Sequence, residues 1–332
     1  MSRQGRSILP AVAAGLLVAA TAGCSPAPEP ADAEASGTAA DSSSTQVLDE
    51  DFPDPDVLKV GDTYYAYASN GNRKNVQVAT STDLVEWEQL PEDALPDLPS
   101  WTIPGKTWAP EVTEVSEGQF VLYFTATNFD PTLQCIGVAT ATDPAGPFTV
   151  LGEGMLVCPE DEGGAIDAST FSSEEGLHLV WKNDGNCCEL ATWIQTAPLS
   201  ADGLALAGPI QKLVTQTLDW EGSLVEAPTI VRQDSRYVLL YSSNDYGGAA
   251  YNVGYASAST LAGPWEKSPE PLLSSESFDG RYVGPGGQDL VTGPDGQEYL
   301  LFHSWDPAVT YRSLHAEPVE WQGAELSLAG DE

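Results

Sequence analysis

One pattern constrains this chain more than any other: it repeats itself five times. Each repeat opens on a Gly- or Asp-containing turn and continues into an aromatic-rich alternating run. The runs are "GDTYYAYASN" from Gly61, "EGQFVLYFTATN" from Glu117, "EEGLHLVWKND" from Glu174, "DSRYVLLYSSND" from Asp234 and "DGQEYLLFHSW" from Asp295. With Gly61, Glu117, Glu175, Asp234 and Asp295 as markers, the steps are 56, 58, 59 and 61 residues. Alternating Tyr, Val, Phe and Trp between such turns is strand chemistry. A second run follows, as in "NVQVATSTDLVEWEQL", "CIGVATATDPAGPFTVL" and "NVGYASASTLAGPWEKS", and reads as a third strand, a turn and a fourth strand. Four strands per unit at a near-constant period specify an all-β fold, a five-bladed β-propeller over residues 48–332, with its site at one mouth of the central channel. Trp87, Phe148 and Trp265 hold equivalent places in these units and are expected to pack between blades.

An acid precedes every marker. Asp54 lies 7 residues before Gly61, Glu111 lies 6 before Glu117, and Asp167 lies 8 before Glu175. Glu226 lies 8 before Asp234, and Asp289 lies 6 before Asp295. The innermost strands surround the channel, so the period predicts five acids converging on one mouth. Like charges in a shared pocket repel and raise one another's pKa, which a purely structural protein has little reason to build. Paired carboxyls suit glycoside hydrolysis, where one is protonated to assist the leaving oxygen and the other is ionised to activate water. A third acid beside the donor holds it protonated near neutral pH.

At these residues the chain resembles glycoside hydrolase family 43, the propeller arabinanases, arabinofuranosidases and xylosidases. "DFPDPDVLKVGDTYYAYAS" is similar to the family's first blade, which implies that Asp54 is the general base. "TWAPEV" resembles a Trp-Ala-Pro-acid element and implies that Glu111 is a substrate-pocket acid. "GGAIDASTF" implies that Asp167 modulates the donor's pKa, and "VEAPTI" implies that Glu226 is the general acid. The resemblance spans nearly all of residues 48–325. Ala168 replaces a usual Pro, and Gln288 in "GPGGQDLV" is read at the histidine of the Gly-Pro-Gly-His element that many members carry. That histidine often helps bind a central ion or water, so His303 is considered as its substitute. No cofactor is required, with a calcium or sodium ion in the channel as an option. Trp108 is the leading candidate for a sugar-stacking surface, ahead of Trp101 and Trp220, with Phe52 and Phe171 as pocket walls. The implied activity is inverting hydrolysis of α-L-arabinofuranosyl linkages in arabinan or arabinoxylan. A β-xylosidase is the rival within the family, and a non-catalytic sugar-binding lipoprotein the rival outside it.

The ends and the charge set the context. Arg3, Arg6, an apolar stretch from Ile8 to Ala20 and Thr21-Ala22-Gly23-Cys24 resemble a bacterial lipoprotein signal. Residues 1–23 are thus expected to be removed and Cys24 lipidated, anchoring the protein to the outer face of the cell membrane. Residues 24–47, rich in Ala, Pro, Ser, Asp and Glu, are expected to be a disordered tether. The formal charge of -36 opposes nucleic acid and acidic polysaccharide and leaves a neutral polysaccharide or oligosaccharide as partner. The membrane is met only through the lipid, and a monomer is expected. Exported cysteines oxidise, so Cys135, Cys158, Cys187 and Cys188 are expected to form two disulfides. Propeller topology predicts that Cys158 pairs with Cys187 or Cys188, and Cys135 with the other.

Overall fold

The computed structural model describes residues 45–331, all as strands, short 3-10 turns and loops. The signal sequence and Cys24 lie outside the described residues. Five antiparallel sheets form the five blades. Blade one holds Asp56–Val60, Thr63–Ala68, Gln77–Ser81 and Glu88–Gln89; blade two holds Thr102–Ser116, Gln119–Asn128, Gln134–Ala141 and Thr149–Val157. Blade three holds Ala165–Ser173, Gly176–Asn183, Ile194–Pro198 and Gln211–Val214; blade four holds Val225–Gln233, Arg236–Ser243, Asn252–Ala258 and Glu266–Lys267. In each, the strands pair in chain order from the inside out.

Blade five closes the ring. Gly286–Thr292, Glu298–Trp305 and Arg312–Gln322 pair in order, and the fourth place is taken by Gln46–Leu48 from the other end of the chain. The amide of Ala316 donates to the Thr45 carbonyl at 2.9 Å. Thr45, Gln46 and Val47, within the segment read as tether, thus pair with blade five. A short terminal strand with little to bury alone is stabilised by pairing with a formed sheet edge.

The second strand of each blade is sandwiched between neighbouring blades, which is why its run is so apolar. Phe120 through Asn128 are all buried. Five apolar clusters lie at the five blade interfaces, one for each pair of neighbours. Tyr67, Val76 and Val78 of blade one meet Leu122 and Phe124 of blade two, for example. Trp87, Phe148 and Trp265 pack in three of these clusters, as the repeat predicts. Truncating a fully buried Phe such as Phe124 removes about 3–5 kcal/mol of stability.

Candidate active site

The site grows from a device repeated in all five inner strands. At the matching place in each blade a residue adopts left-handed backbone: Asp54 (φ 56°), Ala109 (42°), Asp167 (57°), Ala227 (47°) and Gly287 (57°). In blades two to five the pairing register shifts there, between Trp108 and Glu111, Ile166 and Ser169, Glu226 and Thr229, and Gly286 and Asp289. Such bulges re-aim side chains. Each left-handed non-Gly residue costs about 1–2 kcal/mol, so its amide must be anchored well.

The anchors come from the neighbouring blade. The amide of Ala109 donates to Ser69 Oγ (2.9 Å), that of Asp167 to Thr125 Oγ1 (3.1 Å), that of Gly287 to Ser242 Oγ (2.9 Å) and that of Asp54 to His303 Nδ1 (3.0 Å). Thr125, Ser242 and His303 face Trp108, Glu226 and Gly286 across their ladders, and Lys182 faces Ile166 in the same way. An ammonium has no lone pair to accept a hydrogen bond. The Ala227 amide turns instead to Asp167 Oδ2, at 2.9 Å. That substitution ties the Asp167 carboxyl to the residue next to Glu226.

A pocket of about 230 Å³ at the channel mouth is lined by Asp54, Trp108, Asp167, Lys182, Glu226 and Arg312, among others. Asp54 accepts from Ser69 Oγ at 2.5 Å, and Arg312 Nη1 lies 3.3 Å from its Oδ1. Burial pushes its carboxyl up, but the Arg312 guanidinium and the Ser69 hydroxyl act against that, and the carboxyl lies below its ordinary value. The ring of His303 is fully buried under Tyr251, stacked at 5.8 Å, and burial pushes it down to about 3. It is therefore neutral and acts through Nδ1 as an acceptor. Asp167 is the opposite case: burial and the neighbouring Glu226 push it up to about 8. Glu226 itself receives Lys182 Nζ at 3.0 Å, and Lys182 also reaches Asp184 Oδ1 at 3.2 Å. Burial disfavours the Lys182 ammonium, but Glu226, Asp184 and Asp167 prevail and raise it.

A second acid layer lies one or two residues further along the strands, around a narrow cavity of about 40 Å³ that Asp56, Glu111 and Asp289 line. These acids staple blades to one another. Asp289 accepts from the Val57 amide (2.9 Å), Asp56 from that of Val112 (2.9 Å) and Glu111 from that of Thr170 (2.8 Å). Burial pushes Glu111 up to about 7 and Asp289 to about 8, and burial with Glu111 nearby raises Asp56 well above its usual range. The five acids expected at one mouth thus divide. Asp54, Asp167 and Glu226 line the pocket, while Glu111 and Asp289 hold the channel together with Asp56.

The profile of glycosyl hydrolases family 43 matches residues 44–325. The chain belongs to this family. It is 27% identical to an extracellular endo-alpha-(1->5)-L-arabinanase of Thermotoga petrophila, over 76% of this chain and 64% of that protein. It is 26% identical to a putative beta-xylosidase of Xylanibacter ruminicola, over 81% of this chain and 48% of that protein. The chain thus matches less than two thirds of the length of either relative. The crystal structure of a thermostable family-43 glycoside hydrolase superposes with a TM-score of 0.72 at 27% identity, covering 84% of this chain and 93% of that one.

Several aromatic residues expected at the sugar site sit elsewhere. Phe52 is wholly buried in the cluster between blades five and one, and Phe171 packs edge-on to Tyr237 at 5.5 Å between blades three and four, so neither walls the pocket. Trp101 stacks on Phe124 and Trp220 on Tyr241, each with its indole N–H on a backbone carbonyl; both fill gaps between elements. Trp108 does line the pocket. Gln288 lies on the narrow cavity, donating to the Ala227 carbonyl (2.6 Å) and accepting from Ser242 (2.7 Å). Counted along Gly-Pro-Gly-His, the histidine's place is that of Gly287, where a Cβ would lie 2.6 Å from the His303 ring. Among the described residues no three His, Cys, Asp or Glu side chains converge on a metal position.

The disulfides also differ from expectation. Cys135 pairs with Cys158, and Cys187 with Cys188. The fourth strand of blade two runs on to Val157, which lies opposite Ile136. Cys158, the first residue after that strand, therefore comes directly across from Cys135, with Cα atoms 4.7 Å apart. Residues the motifs did not mark are Lys182, Asp184, Arg312, Tyr246 and Tyr251, which come from second and third strands and their loops.

Proposed function

We propose that this chain is an inverting glycoside hydrolase acting on α-L-arabinofuranosyl linkages of a neutral plant-type polysaccharide. The observation that carries the reading is the contrast between carboxyls around one pocket. Asp54 is held ionised by Arg312 and Ser69, whereas the pair Asp167 and Glu226 retains a proton near neutral pH. A base and an acid kept in opposite states is what inversion needs. Water deprotonated by Asp54 attacks the anomeric carbon. Glu226 protonates the leaving oxygen, and Asp167 keeps the donor supplied. Trp108 offers an indole face to the sugar ring. A pocket that only binds neutral sugar has no need for this division of charge.

The arabinan preference draws on the Thermotoga relative, and a β-xylosidase is the second reading, supported by the Xylanibacter relative. Export, lipid anchoring through Cys24 and a monomeric state complete the proposal, together with an optional ion in the channel. Hydrolysis of aryl α-L-arabinofuranoside, aryl β-D-xyloside, linear arabinan and arabinoxylan, with products resolved by size, tests it. Arabinose or arabino-oligosaccharides as main products support the reading; xylose alone favours the second; no product from any refutes both.

A further inference from the structure

We propose that Lys182 is a positioning residue for the protonation step: its ammonium holds Glu226 as a carboxylate in the empty pocket, leaves the catalytic proton on Asp167, and moves onto Asp184 when that proton passes to Glu226. The proposal rests on the assignment of Glu226 as proton donor.

Lys182 stands where the neighbouring blades place Thr125, Ser242 and His303, all hydrogen-bond acceptors. It is the exception, and a costly one, because its side chain is only 2% exposed. A buried ammonium must have anionic partners. It has two, Glu226 Oε2 at 3.0 Å and Asp184 Oδ1 at 3.2 Å, both on largely buried carboxyls. A donor that starts as half of an ion pair has no proton to give. Its neighbour Asp167 has one, and the Ala227 amide binds that carboxyl beside Glu226. Two interacting carboxyls near one cation hold a single proton between them, and the position of the cation decides which one carries it.

The cycle balances. At rest Asp167 is protonated, Glu226 is ionised and Lys182 rests on it. When the proton moves to Glu226 through pocket water, Lys182 keeps an anion in Asp184. In the hydrolytic step the Glu226 proton goes to the leaving oxygen as the glycosidic C–O bond breaks. Water gives hydroxide to the anomeric carbon and its proton to Asp54, which then releases that proton to solvent while Asp167 takes one up, restoring the resting state. Lys182 returns to Glu226 as the carboxylate forms, and the restored ion pair favours transfer of the proton to the leaving oxygen. The charged groups facing this pair are Asp54 with Arg312 on blades one and five, Asp184 at the end of the Lys182 strand, and the buried Tyr251 hydroxyl of blade four.

The test is the pH dependence of kcat/KM on an arabino-oligosaccharide and on an aryl arabinofuranoside with a good leaving group. Lys182→Met is expected to move the alkaline limb up by about one unit or more, since a cation within 4–6 Å shifts a carboxyl by roughly that much. It should lose about tenfold or more in kcat on the oligosaccharide and far less on the aryl substrate, where little acid strength is needed. Lys182→Arg should keep the limb in place. Asp184→Asn confines the ammonium to Glu226 and should move the limb down; it decides the matter if Lys182→Met does not fold. An unmoved limb in folded Lys182→Met, equal losses on both substrates, or an upward shift in Asp184→Asn overturns the proposal. Glu226→Ala is measured alongside: oligosaccharide activity equal to wild type defeats the donor assignment itself, whereas a dead Glu226→Ala with an unmoved Lys182→Met limb defeats only the role of Lys182.

Discussion

The two disulfides differ in what they enclose, and stability should follow that difference. Cys135 and Cys158 are 23 residues apart in sequence, whereas Cys187 and Cys188 are adjacent. In the chain-entropy account, a 23-residue loop removes about 11 cal/mol/K from the unfolded chain, or about 3 kcal/mol at 25 °C. The adjacent pair closes almost no loop and contributes less than about 1 kcal/mol by the same relation. At about 2–4 °C per kcal/mol for a domain of this size, Cys135→Ala/Cys158→Ala should lower the melting midpoint by roughly 6–12 °C. Cys187→Ala/Cys188→Ala should move it by only about 2 °C. Scanning calorimetry on oxidised protein gives both numbers. Because Cys135 is fully buried, the first pair also loses sulfur packing; reduced wild-type protein, which keeps both sulfurs, isolates the cross-link. Equal losses from the two pairs, or a larger loss from the adjacent one, would refute the reasoning.

Other consequences follow from the same geometry. Glu111, Asp167 and Asp289 have ordinary values of 4.5, 3.8 and 3.8 and folded values of about 7, 8 and 8. The folded state therefore binds more protons between those limits, so their contribution is complete below about pH 4 and is lost as pH rises through 7–8. Asp289→Asn should flatten that decline, as read from melting midpoints across pH. Activity should fall as pH rises past about 8, where the Asp167–Glu226 pair loses its proton. Glu226→Ala should be nearly inactive on oligosaccharide and partly recover on an aryl substrate with a good leaving group, while Asp54→Ala recovers on neither; equal recovery would exchange their roles. Trp108→Ala should raise KM about fivefold with a smaller change in kcat, consistent with loss of a stacking surface worth about 1 kcal/mol.

The blade count was legible because the period is long and the sandwiched second strands are largely apolar. Asp54, Asp167 and Glu226 were legible because each sits in a quoted motif. The depth of each acid was not, because a one-residue bulge decides it. A trace of it does lie in the spacing: the mouth acids stand seven or eight residues before their markers, while Glu111 and Asp289 stand six. Lys182 and Arg312 escaped notice because their strands were read for core residues alone. In a chain with only 13 basic residues, a lysine inside "LVWKND" was the available signal. Phe52 and Phe171 show the reverse error, since proximity in sequence to a candidate catalytic residue does not say which blade face a ring joins. The pairing of Cys158 differs from expectation because the strand before it runs to Val157, opposite Ile136, which sets Cys158 beside Cys135.

The central claim is that Asp54 and the Asp167–Glu226 pair carry out a single displacement by water. Proton NMR of the sugar released in the first turnovers, with the best aryl glycoside as substrate, reads this directly. The account predicts that the new anomeric centre appears first with configuration opposite to the substrate, and that the other anomer grows in only by mutarotation. First appearance of the retained configuration would mean that a carboxylate, not water, attacks the anomeric carbon, and would contradict the account.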